Sequence, residues 1–202
     1  MGNMQSWLVQ SVTTHPATYG IRNQLLHNNI IVPLYLAVLN AYLALLQDGT
    51  VVRTGCLNVG GRLVKFDEQG VVTYLSPVLE GLTDLSVGQQ PASGQTEALT
   101  RLLTQVLEMA AGRRPATELL EKLSTREVNT PWQPPEEPVT VSFSGGVADC
   151  IGKALPDRAF GDIGPELGRA IRESELCKGE YILGTETIRA TVIGAGCYST
   201  TL

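Results

Sequence analysis

The chain has 202 residues, enough for one domain with a real core, and carries a net charge of −5. Hydrophobic residues make up 43% and aromatics only 5%, so the core must be aliphatic. No basic run exceeds Arg113-Arg114, which excludes the cationic patch that nucleic-acid binding needs.

Cys56, Cys150, Cys177 and Cys197 form no CxxC pair, and only His15 and His27 could join them. That spacing predicts no zinc site, and small buried thiols in a reducing cytosol. The N-terminus has no basic region followed by an apolar run and a cleavage site.

Residues 1–29 are polar and give no clear element. Residues 30–46 are almost continuously apolar, but Pro33 and Asn40 interrupt them. The run is shorter than the ~20 residues that span a bilayer and has no flanking Lys or Arg, so a buried strand or helix is expected. Asp48-Gly49 predicts a hairpin into the following strand. Two more short strands, joined at Glu68-Gln69-Gly70, complete an expected β-meander over residues 48–74.

Leu99, Leu102, Leu103, Val106, Leu107 and Ala110 have the spacing of one buried helix face. Ser93 or Thr96 is a candidate cap at its start, and Gly112 a stop at its end. Pro115 bars continuation, and Thr117 to Leu123 reads as a second short helix. Pro131, Pro134, Pro135 and Pro138 mark an extended connector. Residues 139–143 form a β-branched run, hence a buried strand. Gly164-Pro165 opens another helix, with Asp162 as its expected cap.

The candidate chemistry lies at glycines. Ser144, Gly145, Gly146 and Val147 join a buried strand to a helix start, where bare backbone lets a flat ligand or an anion approach. A plain tight turn is the competing reading. Gly194, Ala195 and Gly196 offer either a second close approach or close helix packing. Gly60-Gly61 reads as a bulge or turn, with Asn58 as a candidate polar contact. Asp162, Glu166 and Glu173 cluster near a helix start without a His or Cys partner. No Ser-His-Asp order, nucleophile elbow or Walker-type loop is present.

Four motifs occur in one order: TGCLNVGGRLVKFD, SFSGGVADCI, FGDIGPELGRAIRES and ETIRATVIGAGCYSTTL. Together they resemble the reactivating factors of ethanolamine ammonia-lyase, the EutA family, within the actin and Hsp70-like ATPase superfamily. The resemblance implies an α/β fold, one lobe of an actin-like (ribonuclease H-like) ATPase, with a mixed sheet and flanking helices. It implies residues 48–202 as the second lobe, and 1–47 as an atypical N-terminal segment, in a chain that is a fragment of the whole.

By the same resemblance, Ser144, Gly145, Gly146 and Val147 match the adenosine-binding motif, and Gly194, Ala195 and Gly196 the connecting segment near the lobe hinge. LNVGGRL falls where the strand after the second phosphate loop ends. The implied function is chaperone-like: release of damaged cobalamin from inactivated ethanolamine ammonia-lyase, driven by ATP/ADP with Mg2+. The implied partners are the lyase and a nucleotide, with no nucleic acid and no membrane. The implied setting is the bacterial cytoplasm or an ethanolamine-utilisation microcompartment. No metal held by the protein and no direct cobalamin ligand is expected.

The superfamily's Asp-Gly-rich phosphate hairpin has no counterpart before Gln47. A non-catalytic interaction module that keeps only the actin-like lobe is therefore the alternative. A sugar-kinase-like activity is disfavoured, because no catalytic Asp stands in a phosphate-loop context.

Overall fold

In the computed structural model, which describes residues 30–36, 39–47, 50–125, 132–137 and 139–184, the long apolar run is two strands rather than one element. Strand β1 (Ile30–Leu36) pairs antiparallel with β2 (Ala41–Gln47), Leu36 opposite Ala41. Val32, Leu34, Leu36, Ala41 and Leu43 are buried on the core side, which is why the run reads as apolar. The ladder has no β1–β2 pair at Val32 or Pro33. Proline brings no backbone N–H to such a pair. Among the described residues no helix is long and apolar enough to cross a membrane.

Strand β3 (Thr50–Leu57) pairs with β2, and Gln47 lies opposite Thr50. That register fits the expected hairpin, although Asp48 and Gly49 lie outside the described residues. The meander expected over residues 48–74 stops here. A 3-10 turn at Gly61–Leu63 breaks the ladder, and β4 (Val64–Phe66) with β5 (Val72–Leu75) form a separate two-stranded sheet. Their turn is held by Asp67, whose Oδ1 accepts from the N–H groups of Gln69 at 3.0 Å and Val71 at 2.8 Å.

Helix α1 (Gln95–Ala110) buries Leu99, Leu103, Val106 and Leu107, with Leu102 packed at the margin. Each fully buried side chain of this kind contributes roughly 1.5–3 kcal/mol. The cap is neither Ser93 nor Thr96. Gly94 takes that position at φ +83, and the Gln95 Oε1 accepts from the Ala92 N–H at 2.7 Å. At the other end Gly112 stops the helix as expected, with φ +69. The Arg113 N–H reaches the Glu108 carbonyl at 2.8 Å and the Gly112 N–H the Met109 carbonyl at 3.1 Å, the paired bonds of a Schellman end.

Helix α2 (Glu118–Leu123) is capped by Thr117, which accepts from the Leu119 N–H. The proline-rich connector is anchored by Trp132. Its Nε1 donates to the Ala110 carbonyl at 2.8 Å, and its ring lies over Gly55, where a Cβ would stand 2.7 Å from Cε3.

Strand β6 (Thr140–Ser144) leads into helix α3 (Gly146–Gly152). Helix α4 (Gly164–Arg172) follows, then strand β7 (Tyr181–Leu183). Both β6 and β7 run parallel to the direction of β1, giving a five-stranded mixed sheet in the order β3-β2-β1-β6-β7. Residues 30–47 therefore share one sheet with the segments that follow. Helix α3 packs on β1 and β6, and α4 packs on α3 and α1. The α/β class follows from this arrangement.

Candidate functional site

Parallel strands β1 and β6 end on the same edge of the sheet, with Tyr35 opposite Ser144. Ligands of α/β proteins bind outside such carboxyl ends. The predicted Ser144-Gly145-Gly146-Val147 turn sits there, but its four residues divide into different roles.

Gly145 is buried, with φ +90 and ψ 178. A Cβ on it would lie 2.4 Å from the Leu36 carbonyl oxygen. Its lack of a side chain is thus what lets β1 approach this closely. Gly146 is exposed and its Cβ position meets nothing within 4 Å. It is the residue of the turn with open space beside its Cα. Ser144 is half-buried, while the Val147 side chain belongs to the core. Gly194, Ala195 and Gly196, as well as His15 and His27, lie outside the described residues.

Asn58 has a partner that the sequence did not disclose. Asn40 Nδ2 donates to Asn58 Oδ1 at 3.2 Å, tying the tip between β1 and β2 to the end of β3. The Asn58 N–H donates to the Leu123 carbonyl at 2.7 Å. The two asparagines are 18 positions apart, a separation without any local periodicity to reveal it.

The second candidate region surrounds the start of α4. Gly61 packs against it, since a Cβ there would lie 3.0 Å from the Gly164 Cα. The Gly60-Gly61 pair is thus a packing feature at a 3-10 turn. Asp162 Oδ1 accepts from the Gly164 N–H at 2.8 Å, so Asp162 does hold the helix start, one residue ahead of the formal cap position at Ile163. Arg62 Nε stands 3.7 Å from Asp162 Oδ2. Glu166 Oε2 accepts from the Arg158 N–H at 3.2 Å.

Burial raises the pKa of both carboxyls. For Asp162 the Gly164 N–H and then Arg62 oppose the rise; for Glu166 the Arg158 N–H does so. A carboxyl raised on folding contributes stability that is full below its unfolded value and is lost as pH climbs through its folded value. Glu166→Gln removes that loss. The variant is expected to unfold at higher urea concentration than the parent at neutral pH, with the difference closing near pH 4, measured as paired denaturation midpoints. An advantage that grows on acidification would contradict the burial account.

A groove of about 480 Å³ runs between α1 and α4, lined by Thr100, Thr104, Glu108, Arg114, Glu166 and Arg169 among others. Several of its charges are answered internally. Glu108 pairs with Arg114 at 2.9 Å and accepts from the Glu175 N–H at 3.0 Å; Arg169 pairs with Asp157 at 2.7 Å. Among the described residues no three His, Cys, Asp or Glu side chains could hold a metal ion. Burial, then the nearby Asp162 charge, pushes the Cys150 thiol up to about 11, so it stays protonated and unreactive at neutral pH.

Residues 28–202 match the family described as ethanolamine utilisation protein EutA. The ethanolamine ammonia-lyase reactivase EutA of Salmonella typhimurium (strain LT2) is 35% identical over 168 residues, covering 79% of this chain and 35% of that protein. The reactivase of the same name from Escherichia coli (strain K12) is 30% identical over the same shares. The chain therefore spans about a third of the length of these curated relatives. No solved structure matches.

Proposed function

The chain belongs to the ethanolamine utilisation protein EutA family, and from that premise we propose that it is part of a reactivating factor that acts on ethanolamine ammonia-lyase. The observation that carries this reading is the similarity to two proteins named as reactivases of that lyase. In the whole protein, the proposed task is release of damaged cobalamin so that fresh adenosylcobalamin can enter, in an ATP-dependent cycle. A nucleotide state biases two conformations of a multi-lobed machine only through differential contacts in each.

The lobe described here is read as an actin-like one. A mixed sheet with helix α3 against it and α4 packed on α3, and a glycine turn at the carboxyl edge of β6, supports that assignment. The nucleoside half of a nucleotide fits this edge, because Gly146 leaves open space where a side chain would stand. The magnesium and phosphate half does not fit. The tip from β1 to β2 holds Leu39 and Asn40 and has neither an aspartate nor a glycine. That mismatch favours a second reading, a docking module that keeps the lobe without its own hydrolysis.

Two measurements test the proposal. Immobilised, inactivated ethanolamine ammonia-lyase should retain this chain in a pull-down, and absence of association would remove the lyase reading. Gly146→Arg should fold normally, since the added Cβ meets empty space, yet lose nucleoside binding by at least about tenfold, or ~1.4 kcal/mol. Undiminished binding in that variant would move the nucleoside away from the glycine turn.

A further inference from the structure

The groove between α1 and α4 holds a buried carboxylate that has no counter-ion. Glu166 lines it and is 3% exposed. Among the described residues it forms no ion pair. The partner of its Oε2 is neutral, the Arg158 N–H at 3.2 Å. A charge taken out of water is costly unless a cation meets it. The guanidiniums nearby are committed elsewhere. Arg169 pairs with Asp157 at 2.7 Å, Arg114 with Glu108 at 2.9 Å and Arg101 with Glu97 at 3.9 Å. The Arg158 guanidinium lies over the Phe66 ring, 4.4 Å from its centroid, and donates to the Gly70 carbonyl at 3.3 Å.

The hydroxyls of the groove add acceptors. Thr100 and Thr104 line it and are buried. Thr100 Oγ1 donates to the Glu97 carbonyl at 3.2 Å, and Thr104 Oγ1 to the Thr100 carbonyl at 2.8 Å. Ser174 Oγ donates to the Ile171 carbonyl at 2.6 Å. A hydroxyl has one hydrogen, so these oxygens keep only accepting capacity. Buried acceptors in a concave site select a ligand that brings donors. Glu173, exposed and also without an ion pair, adds negative charge two turns beyond Glu166.

We propose that this groove binds a small primary ammonium ion, with the Glu166 carboxylate as its counter-ion and the threonine hydroxyls as further acceptors. An ammonium group has three donors and no acceptor, which matches a carboxylate set beside hydroxyls whose hydrogens are already used. The volume of about 480 Å³ suits a free amine of a few carbons. The site shares no residue with the Gly146 turn and stands apart from the nucleoside reading.

The test is a titration of ethylamine hydrochloride into this chain at pH 7 and constant ionic strength, followed by backbone amide NMR shifts. So few ligand atoms limit the expected Kd to about 1 mM or weaker. The shifts should gather in α1 and α4 along the groove. Tetramethylammonium has the same charge and no N–H, and it should bind at least about fivefold more weakly. Glu166→Gln keeps an oxygen to accept from the Arg158 N–H but loses the charge, and should weaken ethylamine binding by about tenfold or more. Glu173→Gln, at an exposed position, should change it by less than about threefold. No saturable shift in the groove by about 50 mM ethylamine would overturn the proposal. Equal binding of tetramethylammonium, or full binding by Glu166→Gln, would overturn it as well. Nα-acetyl-lysine methylamide distinguishes the source of the ammonium. Binding about tenfold tighter than ethylamine would overturn the free amine in favour of a lysine side chain of a partner.

Discussion

Gly145→Ala is expected to cost about 2–6 kcal/mol of folding stability, the sum of two separate penalties. The first is conformational. At φ +90 and ψ 178 the backbone lies in a region open essentially to glycine alone, and an alanine there costs roughly 1–3 kcal/mol. The second is steric. The new Cβ would stand 2.4 Å from the Leu36 carbonyl oxygen, 2.9 Å from its carbon and 3.2 Å from its nitrogen. These are backbone atoms of β1, and the parallel register with β6 holds them in place, Leu34 opposite Phe143 and Tyr35 opposite Ser144. No flexible side chain is available to give way, so overpacking adds about 1–3 kcal/mol.

Urea midpoints read the loss directly. Gly146→Ala is the internal control, because its Cβ would enter open space, and it should change stability by less than about 1 kcal/mol. A loss below about 1 kcal/mol at Gly145 would contradict the close approach to Leu36. Equal losses at both positions would show that the two glycines do not divide their roles.

That division was not legible in the sequence. Two adjacent glycines look alike, and the residue that constrains one of them, Leu36, lies more than a hundred positions away in the chain. What could be read were the locally coded elements. The face of α1 follows from its 3.6-residue period, β6 from its β-branched run, and the start of α4 from Gly164-Pro165.

The departures from expectation have identifiable physical causes. The β1–β2 turn has no Gly or Pro at its tip, and Asn40 alone did not divide the apolar run into two strands. The β4–β5 hairpin leaves the main sheet because Gly61 is drawn against Gly164, a contact made from the far side of the chain. The cap of α1 went to Gly94 because Gln95 takes over the polar role by accepting from Ala92. At Gly61 a tertiary contact, and at Gly94 a neighbouring side chain, outweighed a local preference of a few tenths to about 1 kcal/mol. Asn40 and Asn58 show the same limit at the site, since only folding brings them within hydrogen-bonding distance.

Gly168→Ala sets two effects of opposite sign against each other, and their sizes decide the outcome. Alanine is the better helix former, by about 1 kcal/mol in a helix interior such as that of α4. Against this, a Cβ at Gly168 would lie 2.4 Å from the Cys150 Cβ, 2.6 Å from its carbonyl carbon and 2.9 Å from its oxygen. Helices α3 and α4 meet here, and two of the three clashes are with backbone. Relief requires α4 to move away from α3, which opens packing around Ile151 and Leu167, both buried in the core. Overpacking of this kind costs roughly 1–3 kcal/mol, occasionally more, and the severity of the contacts places it at the upper end. The net expectation is a loss of about 2 kcal/mol, read as a lower urea midpoint. A variant as stable as the parent would show that the helices are not in contact at this point. Cys150→Gly in the Gly168→Ala background separates the contributions. It removes the Cβ-to-Cβ clash alone, so recovery should be incomplete, because the Cys150 carbonyl group still blocks the added methyl. Since α3 begins at Gly146, a shift between these helices should also displace the turn at which nucleoside binding is proposed.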